Sequence, residues 1–211
     1  MVLLEQAVGK AASICNKRNT LPREVAHKYI KELQEQLMRD DVFIPKRPAK
    51  DINDLAKKAS LIFASSTSSG DVRNLTNGTS RDIYGEINHW QSDGLSAELQ
   101  MEWEVPMSLS QIELKCDTNV NRNIMMRKDS RNDDLYGNSI PKEMLKTLSF
   151  EGRVNGEWKN LGKIADNRTR LIKLKFDTIK TTAVGIKMTE TYGAKNVKLF
   201  EVRCYTLTQI Y

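Results

Sequence analysis

The chain has 211 residues, with 33 Lys and Arg against 27 Asp and Glu, and a formal net charge of +6. Hydrophobic residues make up 39% and charged residues 28%, which excludes a collagen-like or wholly disordered chain. No apolar run approaches the ~20 residues that span a bilayer. Residues 1–9 lack the basic stretch and apolar core of a secretory signal, so the sequence indicates neither a membrane partner nor a leader.

Residues 1–44 predict an αα-hairpin. A first stripe of apolar residues at three- and four-residue spacing consists of Leu4, Val8, Ala11 and Cys15. Pro22 suits the first turn of a second helix. The second stripe, at four-residue spacing, consists of Val25, Tyr29, Leu33 and Leu37. Two short helices bury little surface alone, so we expect these stripes to need a partner.

Residues 45–54 predict a short, stiff linker because Pro45 and Pro48 lie among basic residues. From residue 55 the apolar period changes from 3.6 to 2, most clearly at 98–105, where apolar residues alternate with polar or acidic ones. The alternation recurs at 112–116, 172–176, 184–188 and 200–204, and more weakly at 148–150 and 158–164. With turn signals between the runs, residues 55–211 predict an antiparallel β-sandwich. The stretch 119–144 has no period, and loops of that length are usually functional or mobile.

The chemistry-bearing residues form no familiar catalytic or zinc-binding motif. Cys15, Cys116 and Cys204 are far apart, and with His27 and His89 they give no zinc-ligand spacing. We predict buried free thiols, with a Cys116–Cys204 bridge as the alternative. No G-x-S-x-G surrounds a serine, His27 suits the solvated face of the second helix, and His89 precedes Trp90 in a loop. We therefore expect no enzymatic activity from this chain alone.

Several motifs follow one another in a fixed order between residues 55 and 206. They are 64–66 (ASS), 74–78 (NLTNG), 90–93 (WQSD), 99–106 (LQMEWEVP), 112–114 (IEL) and 196–205 (NVKLFEVRCY). Together they resemble the discoidin, or coagulation-factor C-type, family. The resemblance implies a mainly β fold, a galactose-binding-like jelly-roll β-sandwich, preceded by the αα-hairpin. It also implies ligand-binding loops at one end of the sandwich.

The helical region carries a second resemblance. Its motifs are 6–12 (QAVGKAA), 22–24 (PRE), 32–34 (ELQ) and 37–41 (LMRDD), with 154–158 (VNGEW) and 166–167 (DN) in the β region. These resemble the end of the flavin domain in bacterial FAD-dependent oxidoreductases that carry a discoidin-like module, some of which are labelled xanthan lyases. The resemblance implies that residues 1–44 are the tail of a flavin-type domain. Because the G-x-G-x-x-G fingerprint is absent, we expect no FAD or other cofactor in this chain alone.

A sugar site needs a flat aromatic face and a few rigid hydrogen-bonding groups. The predicted carbohydrate-binding residues, all in loops, are His89, Trp90, Asn121, Arg122, Arg127, Asn167, Arg168 and Tyr192. Trp90 and Trp158 also suit core or rim packing, and Asn167 suits a turn. The discoidin resemblance further implies a structural calcium ion, with Asn77 and Glu201 as predicted ligands. Asn77 stands where an Asp is expected, and the lost charge lowers calcium affinity.

Basic residues are concentrated at 153–175, where seven Lys and Arg face two acidic residues. This stretch indicates either a solvated strand face or attraction to an acidic polysaccharide. It has too few aromatic residues for a nucleic-acid patch.

Taken together, these patterns predict a non-catalytic carbohydrate-binding or accessory module whose partner is a glycan. One alternative is a purely structural C-terminal domain that docks on a flavin domain, or forms a homo-oligomer, through the hairpin. Another is part of a polysaccharide-degrading enzyme.

Overall fold

The computed structural model describes residues 2–119 and 140–206. The predicted site residues Asn121, Arg122 and Arg127 lie outside the described residues. The helices are α1 (Val2–Arg18), α2 (Pro22–Lys28) and α3 (Ile30–Arg39), with 3-10 turns at Leu55–Lys58 and Val72–Thr76. The strands are β1 (Leu61–Ala64), β2 (Ser69–Gly70), β3 (Trp90–Gln91), β4 (Ala97–Cys116), β5 (Leu145–Val154), β6 (Glu157–Ile164), β7 (Leu171–Thr191) and β8 (Lys198–Tyr205). Across the described ranges, every helix is too short or too polar to cross a membrane.

The strands pair antiparallel in the order β2-β3-β8-β4-β7-β5-β6, with β1 beside β4. The first half of β4 pairs with β1 and the second half of β7, whereas its second half pairs with β8 and the first half of β7. Breaks in register between Glu102 and Met107, and between Leu109 and Gln111, separate the two halves. The pairing therefore forms two layers, and the predicted mainly β sandwich preceded by helices is confirmed.

The prediction of separate strands at 98–105 and 112–116 is wrong, because both belong to the single strand β4. The runs at 172–176 and 184–188 are likewise parts of β7. Pro106 falls in the gap between the paired residues Glu102 and Met107, where its missing N–H removes no ladder hydrogen bond. Alternation of side chains reports which face is buried, but it does not reveal that one strand serves both layers.

The core between the layers is built from the alternating residues that the sequence indicates. The fully buried set includes Trp90, Leu99, Met101, Ile112, Leu114, Leu148, Phe150, Val184, Ile186 and Val202. At the β5–β6 turn, Asn155 and Gly156 have φ angles of 52° and 88°, as a two-residue hairpin turn requires. Cys116 and Cys204 are buried free thiols, as predicted, while Cys15 is a half-buried free thiol.

The helices form a layer on the outer face of the sheet made by β8, the second half of β4 and the first half of β7. The predicted second helix is interrupted at Tyr29, whose ψ of 13° divides it into α2 and α3. The residues buried in this layer include Ile14, Val25, Leu37 and Met38. At the start of α1, by contrast, Leu4 is 69% and Val8 62% exposed. The predicted apolar stripes are therefore only partly covered in the described chain.

Charged residues lie buried between the helical layer and the sheet. We call Glu113, Lys115, Glu201 and Arg203 the interlayer network; each is at most 3% exposed. The Lys115 ammonium lies 2.6 Å from Glu201 Oε2 and donates to the Met38 carbonyl at 2.7 Å. Arg203 donates to Glu201 Oε1 at 2.6 Å. The helical layer thus supplies partners for charges that the sheet presents on its outer face.

Candidate functional site

Two loops meet at one end of the sandwich, the β6–β7 loop at 165–170 and the β7–β8 loop at 192–197. Tyr192 donates its hydroxyl to Asp166 Oδ1 at 2.7 Å. Arg168 donates to Asp166 Oδ2 from Nε at 3.2 Å and from Nη2 at 3.0 Å. The Lys146 ammonium lies 5.9 Å from the centroid of the Tyr192 ring. We call Lys146, Asp166, Arg168 and Tyr192 the loop-end cluster.

Asn167 holds the β6–β7 loop in place from the inside. Its side chain is buried, and Nδ2 donates to the carbonyls of Leu145 at 2.8 Å and Thr169 at 2.9 Å. Its Oδ1 accepts from the backbone N–H of Thr169 at 3.2 Å. Because this side chain already hydrogen-bonds within the loop, Asn167 positions its neighbours and offers little to a ligand.

The loop-end cluster presents both a hydrogen-bond acceptor and donors to solvent. The Asp166 side chain is 56% and the Arg168 side chain 68% exposed. Hydrogen bonds from Tyr192 and then from Arg168 hold the pKa of the Asp166 carboxyl below its usual value. The same bond to Asp166 raises the pKa of the Tyr192 phenol. At neutral pH the cluster therefore combines a carboxylate, two cations and a neutral, half-buried phenol ring.

The two tryptophans singled out by the sequence lie in different environments. Trp90 is fully buried, and its indole N–H donates to the Ser66 carbonyl at 3.1 Å. Its ring therefore lies in the core and has no face open to a sugar. Trp158 is 43% exposed and lies over Gly185, where an added Cβ would be 3.4 Å from the ring. Trp158 is therefore a surface residue on the outer face of the sheet.

His89 lies in a hydrogen-bonded series of side chains apart from the loop-end cluster. Its Nδ1 is 2.7 Å from Asp82 Oδ2, and its Nε2 is 3.1 Å from Ser69 Oγ. This is the hydrogen-bond order of a serine-hydrolase triad. The imidazole side chain is only 8% exposed, however, and Asp82 also pairs with Lys198 at 3.2 Å. We assign His89 a structural role, fixing the segment around Asp82 to β2 and β3.

The two predicted calcium ligands have separate partners. Asn77 Nδ2 donates to Asn88 Oδ1 at 3.0 Å, and Asn77 Oδ1 accepts from the backbone N–H of Thr79 at 2.7 Å. Glu201 lies in the interlayer network. Burial alone would raise the pKa of Glu201, but Lys115 and Arg203 outweigh it and hold that pKa below its usual value. Among residues 2–119 and 140–206 there is no group of three or more His, Cys, Asp and Glu side chains suited to a metal ion. Calcium at this turn stays a prediction.

Four of the seven basic residues at 153–175 are paired with carboxylates, namely Arg153, Arg168, Arg170 and Lys173. Arg153 contacts Glu102 at 3.2 Å. Arg170 forms an ion pair with Asp41 of the segment after α3. These contacts reduce the charge available to an extended polyanion and join the stretch to the rest of the fold.

Sequence reasoning identified Arg168 and Tyr192 but missed Asp166 and Lys146 as members of the same cluster. The signal for Asp166 was present, since Asp-x-Arg places two opposite charges on one turn. Lys146 lies in a strand with no distinguishing pattern, and only the fold brings it to Tyr192.

No protein-family model and no curated protein matches this sequence. Solved structures do match it. Chitosan-binding module 1 of a chitosanase/glucanase from Paenibacillus sp. IK-5 is 10% identical, with 72% of this chain and 98% of that chain covered and a TM-score of 0.50. A GH31 CBM32-2 module bound to GalNAc is 16% identical, with 69% and 97% covered and a TM-score of 0.53.

A third match is the structure of the CBM32-1 and CBM32-2 domains of ZmpB from Clostridium perfringens. It is 13% identical, covers 72% of this chain and 35% of that chain, and has a TM-score of 0.50. At these identities the similarity concerns the fold. The chain thus has the β-sandwich fold seen in family 32 carbohydrate-binding modules.

Proposed function

We propose that this chain is a carbohydrate-binding module that contacts its glycan at the loop-end cluster. The observation that carries the proposal is the convergence of Arg168 and Tyr192, from two different loops, on the exposed carboxylate of Asp166. Sugar hydroxyls both donate and accept hydrogen bonds, so they suit a site with a carboxylate beside two cations. The half-buried Tyr192 ring adds an apolar surface for the C–H groups of a pyranose.

The fold gives this proposal a second, weaker support. Structures with the same fold include a chitosan-binding module and a module bound to GalNAc. Those ligands are bound by those proteins. The type of sugar that this chain binds is inferred from the side chains of its own loop-end cluster. Arg168 and Lys146 are paired with Asp166 and Glu190, so the cluster offers hydrogen bonds to sugar hydroxyls without a large excess of positive charge.

Replacing Arg168 with alanine is expected to weaken glycan binding about tenfold, since it removes one charge-assisted hydrogen bond from the site. A glycan array identifies the ligand, and calorimetry on the 211-residue chain measures the change. Arg73→Ala is the matched control, because Arg73 donates to Asp71 from Nε and Nη2 as Arg168 does to Asp166, but outside the loop end. If no glycan binds the unaltered chain, or if both variants bind it equally well, the proposal is wrong.

A second candidate function is structural docking through α1, which we infer from its exposed apolar residues. Leu4 and Val8 lie one turn apart and are 69% and 62% exposed. The motif resemblance supports an FAD-dependent oxidoreductase domain as the partner, and a second copy of the chain is the other occupant. Sedimentation velocity of the full chain is expected to show a dimer that Val8→Glu converts to monomer if self-association is correct. If the unaltered chain and the Val8→Glu variant are both monomers, self-association is wrong and docking on another domain is the remaining version of this candidate function.

A further inference from the structure

A polar pocket of about 280 Å³ lies between the helical layer and the outer face of the sheet. Two cross-strand pairs form its floor, Gln111 opposite Lys175 and Glu113 opposite Lys173. Directly opposite side chains on paired strands stand about 5 Å apart, so these four groups form one compact surface. We call this space the interlayer pocket.

The floor holds two buried acceptors without donors. Gln111 and Arg39 both donate to Glu113 Oε1, at 2.5 and 3.1 Å. Within the described part of the chain, Glu113 Oε2 and Gln111 Oε1 have no hydrogen-bond partner. Both residues are at most 2% exposed. Buried acceptors of this kind are costly unless a donor reaches them, so the floor is suited to a molecule that brings hydroxyl groups.

The wall and rim of the pocket carry an excess of positive charge. Lys10 of α1 pairs with Asp40 of the α3 C-terminus at 2.6 Å. Lys173 lies farther from its carboxylates, 3.5 Å from Asp40 and 3.8 Å from Glu113. Lys175 adds a further cation to the lining. A ligand with an anionic group is therefore favoured over a neutral one.

The rim allows entry from solvent. The side chains of Lys10, Asp40 and Lys173 are 34%, 28% and 36% exposed, whereas that of Glu113 is 1% exposed. The volume equals about nine water molecules at ~30 Å³ each, which suits a single small polar molecule and not a chain.

We propose that the interlayer pocket binds a sugar carboxylate, either a free sugar acid or the terminal uronate of a glycan. Its carboxylate pairs with Lys173 and Lys175, while neighbouring hydroxyls donate to Glu113 Oε2 and Gln111 Oε1. This site is separate from the loop-end cluster, and the inference stands whether or not that cluster binds a glycan.

Calorimetry of the full chain with D-glucuronate, D-glucose and acetate tests the inference. Glucuronate is expected to bind in the millimolar range or tighter, and at least about tenfold more tightly than glucose, which lacks the anion, or acetate, which lacks the hydroxyls. Methyl glucuronide distinguishes the two sources of ligand. Binding of this glycoside points to a chain end, and its exclusion points to the free acid.

Lys175→Met is expected to weaken glucuronate binding about tenfold because it removes one cation from the site. Lys180→Met, an exposed lysine farther along β7, is the matched control and is expected to change nothing. Absence of glucuronate binding, equal binding of acetate or glucose, or an equal effect of both lysine variants would overturn the inference.

Discussion

Replacing Lys115 with alanine is expected to lower the free energy of unfolding by about 3–5 kcal/mol, the cost of breaking a buried ion pair. The Lys115 ammonium is 2.6 Å from Glu201, and the two side chains are each 3% exposed. Its removal leaves Arg203 as the remaining cation at the Glu201 carboxylate, and the Met38 carbonyl keeps only the Asp41 N–H, at 3.2 Å. Denaturant unfolding followed by circular dichroism measures the change.

Lys187→Ala provides the control for that measurement. Lys187 lies 3.5 Å from Glu151 on the open face of the sheet, where the side chains are 44% and 33% exposed. Exposed pairs of this kind contribute about 0–1 kcal/mol. In the double variant of Lys115 and Glu201, we expect the loss to be smaller than the sum of the single losses, because the two residues share one interaction. Equal small losses at Lys115 and Lys187 would show that water reaches the interlayer network.

Lys115 also bears on Glu201 as a predicted calcium ligand. The sequence displays the Glu201 carboxylate near the last strand, but it does not reveal which cation lies beside it. In the fold, β4 and β8 are neighbours, and Lys115 stands directly opposite Glu201. The lysine ammonium therefore already supplies a positive charge at this carboxylate. The motif around Asn77 contains no information about this pairing.

The period of two at 112–116 identified a strand with Ile112 and Leu114 inward, and both are fully buried. The same period implies that the alternate residues lie on the outer face of the sheet, but it does not indicate whether that face is exposed to solvent. Glu113 and Lys115 are on the outer face and are buried as well, because the helical layer covers them. Charged residues in an alternating strand therefore look alike in sequence whether water or another layer lies above them.

The candidate site was also predictable only in part: the sequence indicates its loop residues but not how they come together. Arg168 and Tyr192 stand in loops with polar or turn-forming neighbours, which the sequence displays directly. Their convergence on Asp166 depends on how β7 folds back between the two layers, so that its first and last residues lie at the same end. No pattern in the local sequence marks that bend, which is visible only as breaks in strand register in the structure. The sequence therefore predicts separate strands in its place.

Removing residues 1–44 is expected to lower the melting temperature of the remaining chain by roughly 10–20 °C. Leu37 and Met38 are buried, Met38 beside Lys115 and Arg203 of the sheet, and full burial of such side chains contributes about 1.5–3 kcal/mol each. The truncation also removes Arg39, the 3.1 Å partner of Glu113, and Asp41, the partner of Arg170. The interlayer charges then face water, so lost burial of apolar surface, and not unpaired charge, dominates the expected effect.

Two comparisons make this truncation informative about domain organisation. Removing only residues 1–8, which include the exposed Leu4 and Val8, is expected to change the melting temperature little. Adding a peptide of residues 1–44 to the truncated chain is expected to restore part of the lost stability, because the sheet face it covers remains intact. If residues 1–44 are instead the tail of a separate flavin-type domain, the truncated chain should melt within a few degrees of the full chain. The contacts of Met38 and Arg39 with β4, and of Asp41 with Arg170 in the β6–β7 loop, favour the first outcome, in which the helices are a third layer of the sandwich.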